Sequence, residues 1–367
     1  MGIQQQSGYE GPNIKWGDHE GHENIRNLLE NVHNEITTWK KNMFMIPKGK
    51  VGRDFISEVT RLIQLFNNKT VWEKLAMNLL HVFIPIMLQK PSAKSKGKDH
   101  TRYLNKRLEI WKKGKLIELM SECRVIQNRM KQTKERQTTS NNRGFTRLML
   151  LGKVKQALKL INEENDIAGL HDITEDIREV LQSKHPNGES VKEEAILPDL
   201  NQTVEPVIYE EINAEVIKKA AKDTFGSGGP TQVDADIWKF FICSKTFGNT
   251  SEILCEEIAI LARRLCVEDI PHESISSLLA CRLVPLMKRP EGVRPIGIGE
   301  ILRRIIGKSI TRILREDIQT SSGTLQTCSG LESGIEAAIH AMKKVFSEES
   351  CEAVLLVDED NAFNRLN

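Results

Sequence analysis

Between residues 55 and 66 the large apolar side chains fall at Phe55, Ile56, Val59, Leu62, Ile63 and Phe66. That spacing follows the 3.6-residue period and puts all six on one stripe of a helix, where a half-buried strand would alternate in steps of two. The same period begins near Ile25 and recurs along most of the chain. Residues 71–88 predict a second helix, apolar almost all round, stopped or kinked at Pro85. Tyr103–Met130 predicts a basic helix with Leu104, Leu108, Trp111, Leu116, Leu119 and Ile126 inward, and Phe145–Ile161 another with Leu148, Leu151, Val154, Leu158 and Ile161 on one side. Further helices are expected at Ala214–Ala221, over 234–266 (Trp238, Phe241, Leu254, Ile258, Leu261 and Leu265 inward), at Glu300–Arg315 and over 331–346. Strand signals are confined to the C-terminal part. The expected fold is therefore predominantly α, with a small α+β C-terminal part.

A chain of 367 residues is long enough for two or three domains. Residues 1–24, rich in Gly, Gln and His without a period, predict disorder. Residues 25–185 predict a helical domain. The breakers Pro186-Asn187-Gly188 and Pro198 place a linker at 186–206, before a second unit over 207–367. Charge divides the chain more sharply than its net +2 suggests. Residues 90–159 hold 20 Lys/Arg against 5 Asp/Glu, a net +15, and residues 160–215 hold 3 against 15, a net −12. The basic segment is either a surface for RNA or DNA or a set of well-solvated helical faces.

The seven cysteines form no Cys-x-x-Cys pair and no spacing with the nine histidines that would suit zinc. Scattered single cysteines suit a reducing, intracellular setting, cytoplasmic or nuclear. The N-terminus has no basic-then-apolar signal. The most apolar window, Leu75–Leu88, contains Asn78, His81 and Pro85 and falls short of the about 20 residues a bilayer requires, so no membrane partner is expected.

Two C-terminal stretches carry residues suited to chemistry. In Arg282–Arg315, nine Lys/Arg face only two Glu. A strand over Cys281–Leu286 leading to Lys288, a Pro290-Glu291-Gly292 turn, and a return through Arg294-Pro295-Ile296 predict a hairpin with two cations at its tip. Such a tip suits a triphosphate, to which Arg offers a planar fork and Lys a point charge; the competing reading is a solvated hairpin. In the following helix Arg304, Lys308, Arg312 and Arg315 form a row that would track a phosphate backbone or simply face water. The second stretch is Ala353–Val357, five apolar residues ending on Asp358. It predicts a short strand buried on both faces that delivers a carboxylate at its end; the plainer reading of Asp358 is a turn residue.

The order hydrophobic strand, Lys-x-Pro-Glu-Gly, Arg-Pro-Ile, basic helix, Leu325-Gln326-x-x-x-Gly330, and Asp358-x-x-x-Ala362-Phe363 resembles the fingers-to-palm order of retrotransposon reverse transcriptases. The resemblance covers roughly residues 205–367. Gly226–Trp238 is similar, in Gly/Pro character only, to the Pro-Gly-Pro-Asp-Gly signature of such elements. The resemblance implies an RNA-directed DNA polymerase, a nucleotidyltransferase using dNTPs and Mg²⁺ on an RNA template. It implies Lys288 and Arg294 on the nucleotide's triphosphate, Gln326 and Gly330 positioning template and nucleotide, Asp358 as a catalytic metal ligand, and Phe363 as the gate against a ribose 2′-hydroxyl. Asn364 stands where many relatives have Asp, and no Tyr-x-Asp-Asp follows before Asn367. Two-metal catalysis needs several converging carboxylates. The expectation is therefore a truncated fingers and palm entry, inactive alone. The alternative is a non-catalytic nucleic-acid-binding or assembly protein of a mobile element, and a third reading is a fragment with no stable function.

Overall fold

The 55–66 stripe is buried completely. Phe55, Ile56, Val59, Leu62, Ile63 and Phe66, all on α2 (Lys50–Asn67), are 0% exposed. The computed structural model describes residues 22–132, 140–152, 169–185, 205–288, 292–323, 326–327, 333–348 and 350–355, with 154, 157, 158, 331 and 357 as single positions. α1 (His22–Thr37) turns Ile25, Leu29, Val32 and Ile36 inward, one heptad-like stripe. Against both lies α3 (Glu73–Leu88), buried at every residue from Leu75 to Leu88. The helix continues past Pro85 rather than stopping there. Phe83 stacks on Phe55 with ring centroids 5.2 Å apart and meets Trp111 at 4.9 Å.

Where one basic helix was expected over Tyr103–Met130, there are two, α4 (Gly97–Lys112) and α5 (Leu116–Gln132). Gly114 divides them. At φ 71° it takes the left-handed turn that ends a helix, and Gly114 N–H donates to Trp111 O at 2.8 Å while Lys115 N–H reaches Ile110 O at 3.2 Å. The inward set still holds, since Leu104, Leu108, Trp111, Leu116, Leu119 and Ile126 are all buried. Arg107, also inward, is fixed by Glu122 and by the Met87 and Gln89 carbonyls at 2.9 and 2.6 Å. The stripe expected over Phe145–Ile161 is a correction. α6 (Ser140–Leu150) forms with Leu148 half-buried, but it ends before Gly152, which takes φ 68°, and Leu151, Val154 and Leu158 are 46–59% exposed; Ile161 lies outside the described residues.

Residues 169–185 include α7 (Glu175–Ser183), capped by the Thr174 hydroxyl. After a 3₁₀ turn at Pro206–Glu211 come α8 (Ala214–Lys222), α9 (Ala235–Cys243), α10 (Asn249–Val267) and α11 (His272–Leu279). α10 packs on α2 and α11 on α3, so one continuous core draws on helices from both sides of the 186–206 segment. Polar ties reinforce the junction: Arg264 donates to Phe66 O and pairs with Glu73 at 2.7 Å, and Asn67 donates to Glu257 O at 2.9 Å. Most of the segment expected to link two units, 186–204, lies outside the described residues.

β1 (Cys281–Met287) and β2 (Val293–Gly299) then form an antiparallel hairpin, in register from Cys281↔Gly299 to Met287↔Val293. Leu170 bridges Leu286 on the outer edge of β1, with Met287 N–H donating to Gly169 O and His171 N–H to Pro285 O. α12 (Ile301–Ile313), α13 (Arg315–Ser322) and α14 (Gly334–Phe346) follow. The buried strand expected at Ala353–Val357 is a second correction. Residues 353–355 and 357 have no strand pairing, and Leu355 and Val357 are 86% and 85% exposed. A strand needs a ladder partner for its N–H and C=O groups, and none of the described residues supplies one.

Candidate functional site

The hairpin begins from two seven-residue strands rich in β-branched and apolar residues, closed by a short turn. Lys288 N–H donates to Gly292 O at 2.9 Å, which closes the tip, and Gly292 at φ 134° holds a backbone angle that side-chain-bearing residues avoid. Residues 289–291 between them lie outside the described residues. Arg294 sits opposite Leu286. Because partners across an antiparallel pair share a face and neighbours along a strand alternate, Lys288 and Arg294 fall on the same face, together with Arg282, Val284 and Leu286. Both tip cations are exposed. Pro285 and Val293, which are buried, belong to the opposite face. Leu283 and Met287 on that opposite face are exposed, and Arg282, Val284 and Leu286 on the cation face are half-buried, so both faces are partly covered and the two cations stand exposed at the tip end of theirs.

The base of the hairpin is held by a buried acid that sequence reasoning did not single out. Glu300, between β2 and α12, is 1% exposed. Its carboxylate accepts the Thr231 N–H and the Thr231 hydroxyl, both at 2.8 Å. Burial pushes the Glu300 carboxyl up to about 7, against the opposing pull of the Thr231 hydrogen bonds and Arg282. Arg282 itself donates to Gly228 O at 3.3 Å. A Cβ on Gly229 would stand 2.6 Å from the Glu300 nitrogen, so the Gly228-Gly229 pair is what lets this turn close onto the hairpin. Its one sequence signal is that Glu300 is an isolated acid among cations.

Three cations of the basic row, Arg304, Lys308 and Arg312, lie on α12 and reach back to the chain itself, while Arg315 opens α13. Arg304 donates to Ser227 O at 3.2 Å and to Phe225 O, Lys308 donates to Asp223 O, and Arg312 pairs with Asp223 at 2.5 Å. These are the free carbonyls and the acid just past the end of α8, so the row caps a helix C-terminus and complements its dipole.

Of the other residues singled out in the sequence, Gln326 is exposed in a short described stretch. Gly330, Asp358 and Phe363 lie outside the described residues, and so does the relation of Asp358 to the hairpin.

A separate polar cavity of about 270 Å³ opens between α1, α3 and α11, lined by Glu30, His33, Asn34, Asn78, Ser276 and Ser277. Beside it His81 is buried, its Nδ1 2.9 Å from Met77 O and 3.0 Å from the Ser277 hydroxyl. Burial, with His33 nearby, drives the His81 imidazole down to about 3, so it is neutral at ordinary pH.

Among the described residues no three His, Cys, Asp or Glu side chains cluster to hold a metal, and no helix is long and apolar enough to cross a membrane. Set against family models, curated proteins and solved structures, the chain matches none of them.

Proposed function

We propose that residues 205–367 carry the fingers hairpin and palm entry of a reverse-transcriptase-like polymerase, with Lys288 and Arg294 as contacts for the triphosphate of an incoming dNTP. The observation that carries the reading is the hairpin: two paired strands, a tight tip, and two exposed cations on one face at that tip. An Arg fork and a Lys point charge on one face suit a polyphosphate better than a single carboxylate. The glycine turn and Glu300 support the role by fixing the hairpin's base, so that its tip is presented rather than collapsed. Mg²⁺ belongs to the chemistry that the resemblance implies. The described residues offer no ligand cluster for it, and Asp358 lies outside them, so the reading rests on the cations and assigns the metal no ligand set.

The test is a titration of the full chain with a dNTP, in parallel with Lys288→Ala, Arg294→Ala and the double variant. Each substitution removes a charge-assisted contact and is expected to weaken binding about tenfold. Equal dNTP affinity in the wild type and the double variant, with weakened RNA affinity instead, would move the hairpin to a nucleic-acid surface and overturn the assignment.

A further inference from the structure

α4 and α12 both present a row of cations, and they use it in opposite ways. On α12 the cations turn onto carbonyls and an acid of the same chain. On α4 they turn outward. At 100° per residue, Lys98, Arg102, Lys106, Lys112 and Lys113 fall on one side of the helix and its C-terminal turn, and all five are exposed. The opposite side carries Leu104, Leu108 and Trp111 into the core. Arg102 makes a long ion pair with Asp99, at 3.8 Å, and lies over the Tyr103 ring, while Lys106 shares Glu122 with the buried Arg107. Among the described residues no acid pairs with Lys98, Lys112 or Lys113. Two acids of α4 share that side, Glu109 within the row and Asp99 at its edge.

We infer that the outer side of α4 is a docking surface for the phosphate backbone of a nucleic acid. The row is one-sided and runs about 22 Å at 1.5 Å per residue, a length of duplex axis over which one strand carries about six phosphates. It is preorganised, because Arg107 pins the helix to the carbonyls of Met87 and Gln89 from beneath. The outer side offers no apolar residue to insert into a lipid surface, since Leu104 and Leu108 point inward. It also offers no exposed aromatic face for a base: Tyr103 is half-buried beside Arg102 and Arg107, and Trp111 is buried. Contact is therefore with phosphates, without sequence preference and with steep salt dependence. The inference stands on α4 alone and does not need the hairpin to bind a triphosphate.

The experiment measures anisotropy of a labelled RNA and a labelled duplex DNA with the full chain, from 50 to 200 mM salt. It compares Lys98→Glu/Lys113→Glu with Lys343→Glu/Lys344→Glu, a pair on α14 with the same change in net charge. The α4 double variant is expected to lose at least tenfold in affinity and about two units of salt slope, while the α14 pair stays near wild type. Equal losses in both Glu pairs would reduce the effect to net charge. No binding at 50 mM salt, or binding to anionic vesicles but not to RNA or DNA, would overturn the inference. Unchanged thermal unfolding of each variant shows that the fold is intact.

Discussion

α3 and α14 are both short, largely apolar helices, and the fold treats them differently. From Leu75 to Leu88 every residue of α3 is buried, under α1, α2 and α11. On α14 the apolar positions Ile335, Ile339, Met342, Val345 and Phe346 are 43–62% exposed, and the apolar run that follows is exposed as well. The difference lies in the surroundings. An apolar period specifies which face a helix will bury; only distant parts of the chain or another surface can supply the cover.

The sharpest way to break that comparison is truncation. Phe83→Ala empties a site packed between Phe55 and Trp111 and is expected to cost about 3–5 kcal/mol in chemical denaturation. Ile339→Ala, removing a half-exposed side chain, is expected to cost about 0.5 kcal/mol or less. If Ile339→Ala costs as much as Phe83→Ala, α14 is covered in solution and the contrast fails.

A smaller effect separates the helical body from the hairpin base by pH. His81 has its folded pKa depressed to about 3 from 6.5, so the stability it contributes is present above 6.5 and is lost as pH falls toward 3. Glu300 runs the other way. Its folded pKa is raised to about 7 from 4.5, so its contribution is full below 4.5 and fades as pH rises through about 7. Unfolding of Glu300→Gln between pH 4.5 and 8 is expected to lose that fall, relative to wild type. An identical pH profile in the two proteins would show that the carboxyl is not buried as the hairpin base requires.

Local pattern made much of this legible. The α2 stripe, the inward set of α4 and α5, and the hairpin with its two tip cations all follow from spacing within a few residues. Gly114 was also visible, but one glycine amid a long helical period is a weak stop signal until its left-handed turn is seen. The Glu300–Thr231 pair could not be read, because the partners are 69 residues apart and no spacing in sequence links the two stretches that hold them. Nor could the fate of the α12 row, since cations that cap a distant helix and cations that face water have the same spacing in sequence. The run at 353–357 was legible as apolar but not as a strand, because a strand depends on a partner that its own sequence does not contain.

The central claim is that the hairpin tip holds a triphosphate. Its most direct test is photocrosslinking of the full chain with a dNTP carrying an arylazide on its γ-phosphate, followed by mapping of the labelled peptide. The account predicts label on residues 282–298, removed by excess unlabelled dNTP and absent from Lys288→Ala/Arg294→Ala. Label that maps elsewhere, or that persists undiminished in the double variant, would contradict it.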